Sequence, residues 1–315
     1  THSFEELRAL DNHIDTNLLT KFLAVLKLGL FKAAVFDLDG VLTSTAKLHY
    51  EGWKKMFEHD AKIGEEFTHQ HYLDHVEGIP RNDGCLAMLH HGKDTKDKFL
   101  KLAKFVDPDP EKKESRGKFD KLSPEEQALV FEVIRLSDIK NTLYESWLET
   151  RKDEIQIMPG TKELLDYLQS KGILMAVASS SKNTPAILRI TGLDKYFKEV
   201  ISGHDIGNFS HYLNKQIEGK PAPDIFSEAA LRLGVNLKEI FGFEDAVKGV
   251  KAIKASGMLT IGVDTEKKCL LSEADFVIAS VEDITRRLAS SPIAKLSFKA
   301  VVFDLDGVIT STARF

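Results

Sequence analysis

Apolar residues change their spacing three times along the chain. Over residues 1–30 they recur at intervals of three and four (Leu10, Ile14, Leu18, Leu19, Phe22, Leu23, Leu26, Leu30), which predicts a helix with one apolar face. Ala33-Ala34-Val35-Phe36 is then a short continuous apolar run that stops at Asp37-Leu38-Asp39-Gly40, the pattern of a buried strand entering a polar turn. From about 50 to 150 the chain is polar and helix-like, with a charged stretch from Asp107 to Lys121 read as a loop. Ser123-Pro124-Glu125-Glu126 marks a helix start, with Ser123 as N-cap, Pro124 at the first helical position and Glu126 three residues on.

After Pro159-Gly160 the texture alternates. A helix over 161–171 leads to a strand over 173–178, and a helix from about 183 leads to a strand over 199–202. Helices from about 224 and 246 lead to strands at 240–243 and 259–263, and Phe276 to Ala279 reads as a last strand. Strands alternating with helices of this length imply a parallel sheet covered by helices. The first strand, 33–38, must join that sheet across the helical stretch. The expected fold is therefore α/β, a Rossmann-like parallel core with an inserted helical cap. Its parts are an N-terminal helical extension (1–30), a core (31–49 and 151–290), a cap (50–150) and a tail (291–315).

The tail repeats the first motif. Residues 31–46 reappear at 298–313 with two conservative changes, Ala34/Val301 and Leu42/Ile309. The simpler expectation is that the tail begins a second homologous domain of a longer chain; a start at Thr1 rather than Met separately reads as a fragment or a processed product. The alternative is a strand that pairs with a sheet edge.

Composition narrows the function. Of 315 residues 43% are hydrophobic and 29% charged, as in a globular protein with a sizeable core, which excludes a mainly disordered chain. With 43 Lys and Arg against 48 Asp and Glu there is no basic field to collect nucleic acid. Lys21, Lys27 and Lys32 interrupt the longest apolar region, so no membrane span is expected. Two cysteines support neither a disulfide framework nor a four-cysteine metal site, and the expected location is the reducing cytoplasm.

Ligands of open α/β sheets bind beyond the carboxyl ends of the strands. The first strand delivers Asp37 and Asp39, and the second Ser179, Ser180, Ser181, Lys182 and Asn183, hydroxyls and N–H groups suited to a phosphate. After the third comes Gly219-Lys220-Pro221-Ala222-Pro223, a lysine in a stiff turn, and the fourth ends in Glu244-Asp245. Each alone fits turn or capping chemistry: Asp and Gly in a turn, Ser or Asn183 as N-cap, a solvated loop lysine, Asp245 as N-cap. Four in order, each after an apolar strand, supply a carboxylate nucleophile, a second carboxylate for acid–base work, phosphate donors, a fixed cation and oxygen ligands for Mg²⁺.

This constellation resembles the haloacid dehalogenase-like superfamily of phosphotransferases and, within it, the β-phosphoglucomutase family. The closer resemblance rests on Phe36-Asp37-Leu38-Asp39-Gly40-Val41 followed by Thr43, Thr45, His49 and Trp53. It rests also on Gly78-Ile79-Pro80-Arg81, Lys140-Asn141, Ala178 to Asn183, Lys220 to Phe226, and Glu244-Asp245. The resemblance implies interconversion of β-glucose 1-phosphate and glucose 6-phosphate through an aspartyl-phosphate and a bisphosphate. The alternative is a Mg²⁺-dependent phosphatase of small phosphorylated metabolites with the same nucleophile. A non-catalytic module, suggested by the repeated motif, is opposed by the intact Asp37, Asp39, Lys220 and Asp245.

By the resemblance Asp37 is the nucleophile, Asp39 the acid–base group, and Thr45 the hinge residue that orients Asp39. His49 and Trp53 lie near the sugar, Arg81 grips its distal phosphate, and Lys140 and Asn141 stand nearby. Ser179 to Asn183 and Lys220 hold phosphate or substrate on the core side. Mg²⁺ is held by Asp37, the Asp39 carbonyl and Asp245, with Glu244 at or next to it. The chain departs from the family pattern in a longer cap, chiefly over 90–125, and a longer loop from Gly203 to Gly219. His69, His71, His75 and the pair His90-His91 read as a solvated cap face rather than a metal site, and Gly203-His204-Asp205 as a loop.

Overall fold

The computed structural model describes residues 18–61, 67–89, 119–265 and 270–290. The tail repeat, the insertion over 90–118 and the first part of the N-terminal helix lie outside them.

Six strands form one parallel sheet. β1 (Ala33–Phe36) is central, between β2 (Leu174–Ala178) and β6 (Ile240–Glu244). β3 (Glu199–Ile201) flanks β2, while β7 (Leu259–Val263) and then β8 (Phe276–Ile278) continue beyond β6, giving the order β3-β2-β1-β6-β7-β8. The unbroken apolar runs follow from burial on both faces. Ala33 and Val35 of β1 enter one core cluster with Ala176, Ala178 and Ile240. Ala34 and Phe36, pointing the other way, enter a second with Val177 and Phe243. Phe36 and Phe243 stack with centroids 4.9 Å apart.

The helices are α1 (18–27), α2 (Ala46–Met56), α3 (Arg81–Leu89), α4 (Pro124–Thr150), α5 (Thr161–Ser170), α6 (Thr184–Thr191), α7 (Asp224–Leu233), α8 (Val247–Ser256) and α9 (Glu282–Ser290). The apolar stripe of α1 packs on the core, where Phe22 meets Phe241 edge-on at 5.1 Å. α2, α3 and α4 build a separate apolar cluster around Trp53, Phe57, Phe67, Cys85, Val133 and Leu136, so the helical insert has a core of its own. α4 starts as its sequence dictates. Ser123 Oγ accepts from the Glu126 amide at 3.3 Å, and Glu126 Oε2 accepts from the Ser123 amide at 2.9 Å, with Pro124 in the first turn. Among the described residues no helix is long and apolar enough to cross a membrane.

The segment from Gly203 to Gly219 corrects an expectation. It is not only loop: β4 (Phe209–Ser210) and β5 (Lys215–Gln216) pair as an antiparallel hairpin. Asn214, at φ 53°, makes the left-handed turn residue, a conformation that asparagine tolerates better than most.

Candidate active site

Asp37 leaves β1 with its amide still bonded to the Phe243 carbonyl at 3.0 Å, so the sheet itself aims the carboxylate past the strand ends. The chain then turns tightly. The Leu42 and Thr43 amides both donate to the Leu38 carbonyl at 3.0 Å, and the Gly40 amide donates to Thr43 at 2.8 Å. Gly40 sits at φ +83°, and a Cβ there would fall 1.8 Å from Asp245 Oδ2. Both the turn and the approach of Asp245 therefore require glycine.

Lys220 reaches this point from the other side, across the cis Lys220–Pro221 peptide. Its Nζ donates to Asp37 Oδ1 at 2.5 Å and to Glu244 Oε2 at 2.8 Å, and the lysine is 2% exposed. Burial raises the pKa of Asp37 against the pull of Lys220. Burial and then the charge of Asp37 push Glu244 up to about 8. Asp245, half-buried, is raised well above the usual carboxylate range by desolvation and by the charges of Glu244 and Asp37. For Lys220 the two anions outweigh burial and raise its pKa.

Oxygens of Asp37, Glu244 and Asp245 lie within 4.8 Å of one another, the one cluster of three metal-ligating side chains among the described residues. If all three acids were ionised they would outnumber the one lysine, an excess of negative charge that a bound cation would balance. A donor set of carboxylate oxygens suits a hard cation such as Mg²⁺. Asp245 is not an N-cap: α8 begins after Ala246 with no side-chain cap.

Asp39 is held by a second set of contacts. Thr45 Oγ1 donates to Asp39 Oδ1 and stands 2.8 Å from Thr43 Oγ1, while His49 Nε2 lies 3.5 Å from Asp39 Oδ2. Burial works to raise the pKa of Asp39, but His49, Thr45 and Lys140 together bring it below its ordinary value. His49 stacks on Tyr144 at 4.1 Å, and its Nδ1 is 2.8 Å from Lys140 Nζ. Burial and then the Arg81 charge lower Lys140 to about 7, against the attraction of Asp39. His49 is lowered by burial and by Lys140.

One cavity of about 520 Å³ collects the residues singled out from the sequence. Asp37, Asp39, Ser179 to Asn183, Lys220 and Asp245 line it from the core, and His49, Trp53, Arg81, Lys140 and Asn141 from the cap. Thr45 and Glu244 stand behind it, on Asp39 and on Lys220. The capping expectation for Asn183 is replaced by a bridge. Its side chain makes no cap bond, and its Nδ2 donates to Asn141 Oδ1 across the cleft at 3.1 Å. The serines serve the turn, where Ser179 Oγ accepts from the Ser181 amide and Ser181 Oγ from the Asn183 amide, both at 3.2 Å.

Tyr144 is not singled out by any motif, although it stands one helical turn beyond Lys140, a spacing that could reveal it. Nor does any motif single out the lining groups Tyr72, Asp83 and Glu218. Asp83 is raised to about 6 by burial and the charge of Glu218. Among the described residues His69, His71 and His75 enter no metal-ligating cluster, His90 and His91 lie outside those residues, and Asp205 bonds to Ser202 and Arg232.

A parallel sheet with a helical insert after its first strand, and with carboxylates and one buried lysine at its strand ends, defines a capped α/β domain. The family model for haloacid dehalogenase-like hydrolases matches residues 31–257, and the chain belongs to that family of enzymes. It is 33% identical over 239 residues to the β-phosphoglucomutase of Mycobacterium bovis, covering 73% of this chain and 79% of that one. It is 28% identical over 259 residues to a phosphorylated carbohydrates phosphatase of Thermotoga maritima, covering 80% and 96%. The crystal structure of β-phosphoglucomutase from Clostridium difficile superposes with a TM-score of 0.58 at 26% identity, over 83% of this chain and all of the other.

Proposed function

We propose that this chain transfers a phosphoryl group on a small phosphorylated sugar through an aspartyl-phosphate at Asp37, interconverting β-glucose 1-phosphate and glucose 6-phosphate by way of a bisphosphate. The observation that carries this reading is the pairing of two differently held carboxylates in one cavity between core and cap, Asp37 on Lys220 and Asp39 on Thr45 and His49. An Asp37 oxygen attacks phosphorus as the bond to the sugar oxygen breaks, and Asp39 gives that oxygen a proton. In the return step a sugar hydroxyl attacks the phosphorus, its proton passes to Asp39, and the bond to Asp37 breaks. Asp39 is ionised at neutral pH, the form required to begin from the phosphorylated enzyme.

Lys220 balances charge on the phosphoryl oxygens, which otherwise repel an attacking carboxylate. Mg²⁺, held by Asp37, the Asp39 carbonyl and Asp245 with Glu244 beside it, supplies further positive charge there when bound. Arg81 and Asn141 on the cap, with Ser181, Lys182 and Asn183 on the core, are suited to hold the second phosphate.

The name of the Thermotoga relative favours a second reading, transfer to water. One assay separates them. With β-glucose 1-phosphate, Mg²⁺ and a trace of the bisphosphate, glucose 6-phosphate and free phosphate are followed separately. Glucose 6-phosphate without phosphate is the expected result, and phosphate alone supports the phosphatase. Arg81→Ala is expected to lower glucose 6-phosphate formation about a hundredfold while sparing hydrolysis of p-nitrophenyl phosphate, which has no second anion to hold. Equal losses would remove Arg81 from its assigned role.

The pH profile carries a further prediction. Lys140, brought down to about 7, is cationic below that pH and neutral above it. For the free enzyme kcat/KM with the sugar phosphate is therefore expected to fall as pH rises through about 7. Lys140→Met is expected to remove that limb, and an unchanged profile in the variant would exclude the lysine as its source.

A further inference from the structure

The hairpin segment between β3 and Lys220 forms the core-side lip of the cavity, and it is braced. Ser210 Oγ donates to Glu228 Oε2 at 2.5 Å, and Arg232 Nε holds the other Glu228 oxygen at 2.8 Å. Arg232 also reaches Asp205 at 3.0 Å, and Asp224 accepts from the Glu218 amide at 2.9 Å. Both ends of the segment are thus tied to α7.

The cap loop that carries Arg81 docks against this lip. Ser180 Oγ donates to the Gly78 carbonyl at 3.3 Å. Two residues on, Pro80 lies over Gly219. A Cβ at 219 would fall 2.1 Å from Pro80 Cγ and 2.8 Å from Cδ, inside any real contact. Gly219 is not among the glycines with positive φ, so its backbone alone does not demand glycine. The proline ring does: it is stiff and cannot swing aside as the end of a long side chain would.

We infer that Gly219 is a positioning residue, whose missing side chain lets Pro80 seat on the braced hairpin, and that this seat sets how deeply the adjoining Arg81 enters the cavity. The effect on specificity rests on the sugar-phosphate reading, whereas the seating itself does not. A methyl group at 219 holds the cap loop away from the core, so substrates that need Arg81 suffer while those using only the Asp37 site do not. A smaller residue at position 80 makes room for that methyl group.

The test uses Gly219→Ala and the double variant Gly219→Ala/Pro80→Gly in the full chain, with two readouts. The first is the distance between spin labels at Thr142 on the cap and Lys162 on the core, both exposed. The background is Cys269→Ser; Cys85, buried with its thiol pushed up to about 12, is expected to stay unlabelled, which a control without the added cysteines checks. The second is kcat/KM for β-glucose 1-phosphate, counting either product, divided by that for p-nitrophenyl phosphate. Gly219→Ala is expected to lengthen the label distance and to lower the ratio on the order of a hundredfold, and Pro80→Gly to restore most of both. A parallel loss of both activities would mean damage to Lys220 and would overturn the inference, as would unchanged distances or a double variant no better than the single. If the unmodified protein leaves the sugar phosphate untouched while the distances shift and recover, the seat stands and the sugar-phosphate reading falls.

Discussion

Asp37→Asn is expected to abolish phosphoryl transfer, by a factor on the order of 10⁴ or more, in a protein that remains folded. An amide oxygen is a poor nucleophile, and no other carboxylate has the position of Asp37 at the end of the central strand. Asp39 is engaged by Thr45 and His49, and Glu244 lies behind Lys220. The substitution should not cost stability. Burial already raises the pKa of Asp37, and removing its charge leaves Lys220 paired with Glu244. Steady-state rates and thermal melts on the same preparation check both halves. Activity within tenfold of the unmodified protein would remove Asp37 from the nucleophile's place.

Lys220→Met has the second large effect, on rate and stability together. Its ammonium is almost fully buried and is bonded to both Asp37 and Glu244. Taking one partner from a buried ion pair typically costs about 3–5 kcal/mol, because the remaining charge is left uncompensated. Here the two acids can escape by holding protons, which gives the loss a pH dependence. Glu244 already has its pKa raised to about 8 with the lysine present, and losing the cation moves it further up. A carboxyl whose folded pKa lies above its unfolded value favours the folded state at low pH, and that advantage is lost as pH rises through the folded pKa. The melting-temperature deficit of Lys220→Met is therefore expected to widen as pH rises above about 8, where Glu244 ionises beside the lysine but keeps its proton without it. A deficit independent of pH would mean that Lys220 serves packing rather than charge. Turnover should fall by about 10²–10³-fold, the scale for losing an electrostatic group at a reacting centre.

The strand ends were legible because each apolar run is buried on both faces and stops at residues that are poor strand formers. Asp37, Ser179 and Glu244 could be placed at one edge of a sheet before any coordinates. The hairpin at 209–216 was not legible. Its strands are two residues each, with too little alternation to mark a buried face, and it is held by Glu228 and Arg232 on α7 rather than by its own pattern. The state of Asp39 was hidden for a related reason. The contacts that lower its pKa come from α2 and from Lys140 on α4, and only the packing of the cap brings them together. Gly219 was visible as part of a turn, but its opposition to Pro80 joins two segments far apart in the chain.

The central claim is that an oxygen of Asp37 carries the phosphoryl group in passing. Rapid acid quench after mixing the protein with Mg²⁺ and the sugar bisphosphate, followed by mass mapping of its peptides, tests this directly. One added phosphoryl group is expected on the peptide containing Asp37, labile in base and absent from Asp37→Asn. Turnover without any such adduct, or the adduct on another residue, would contradict it.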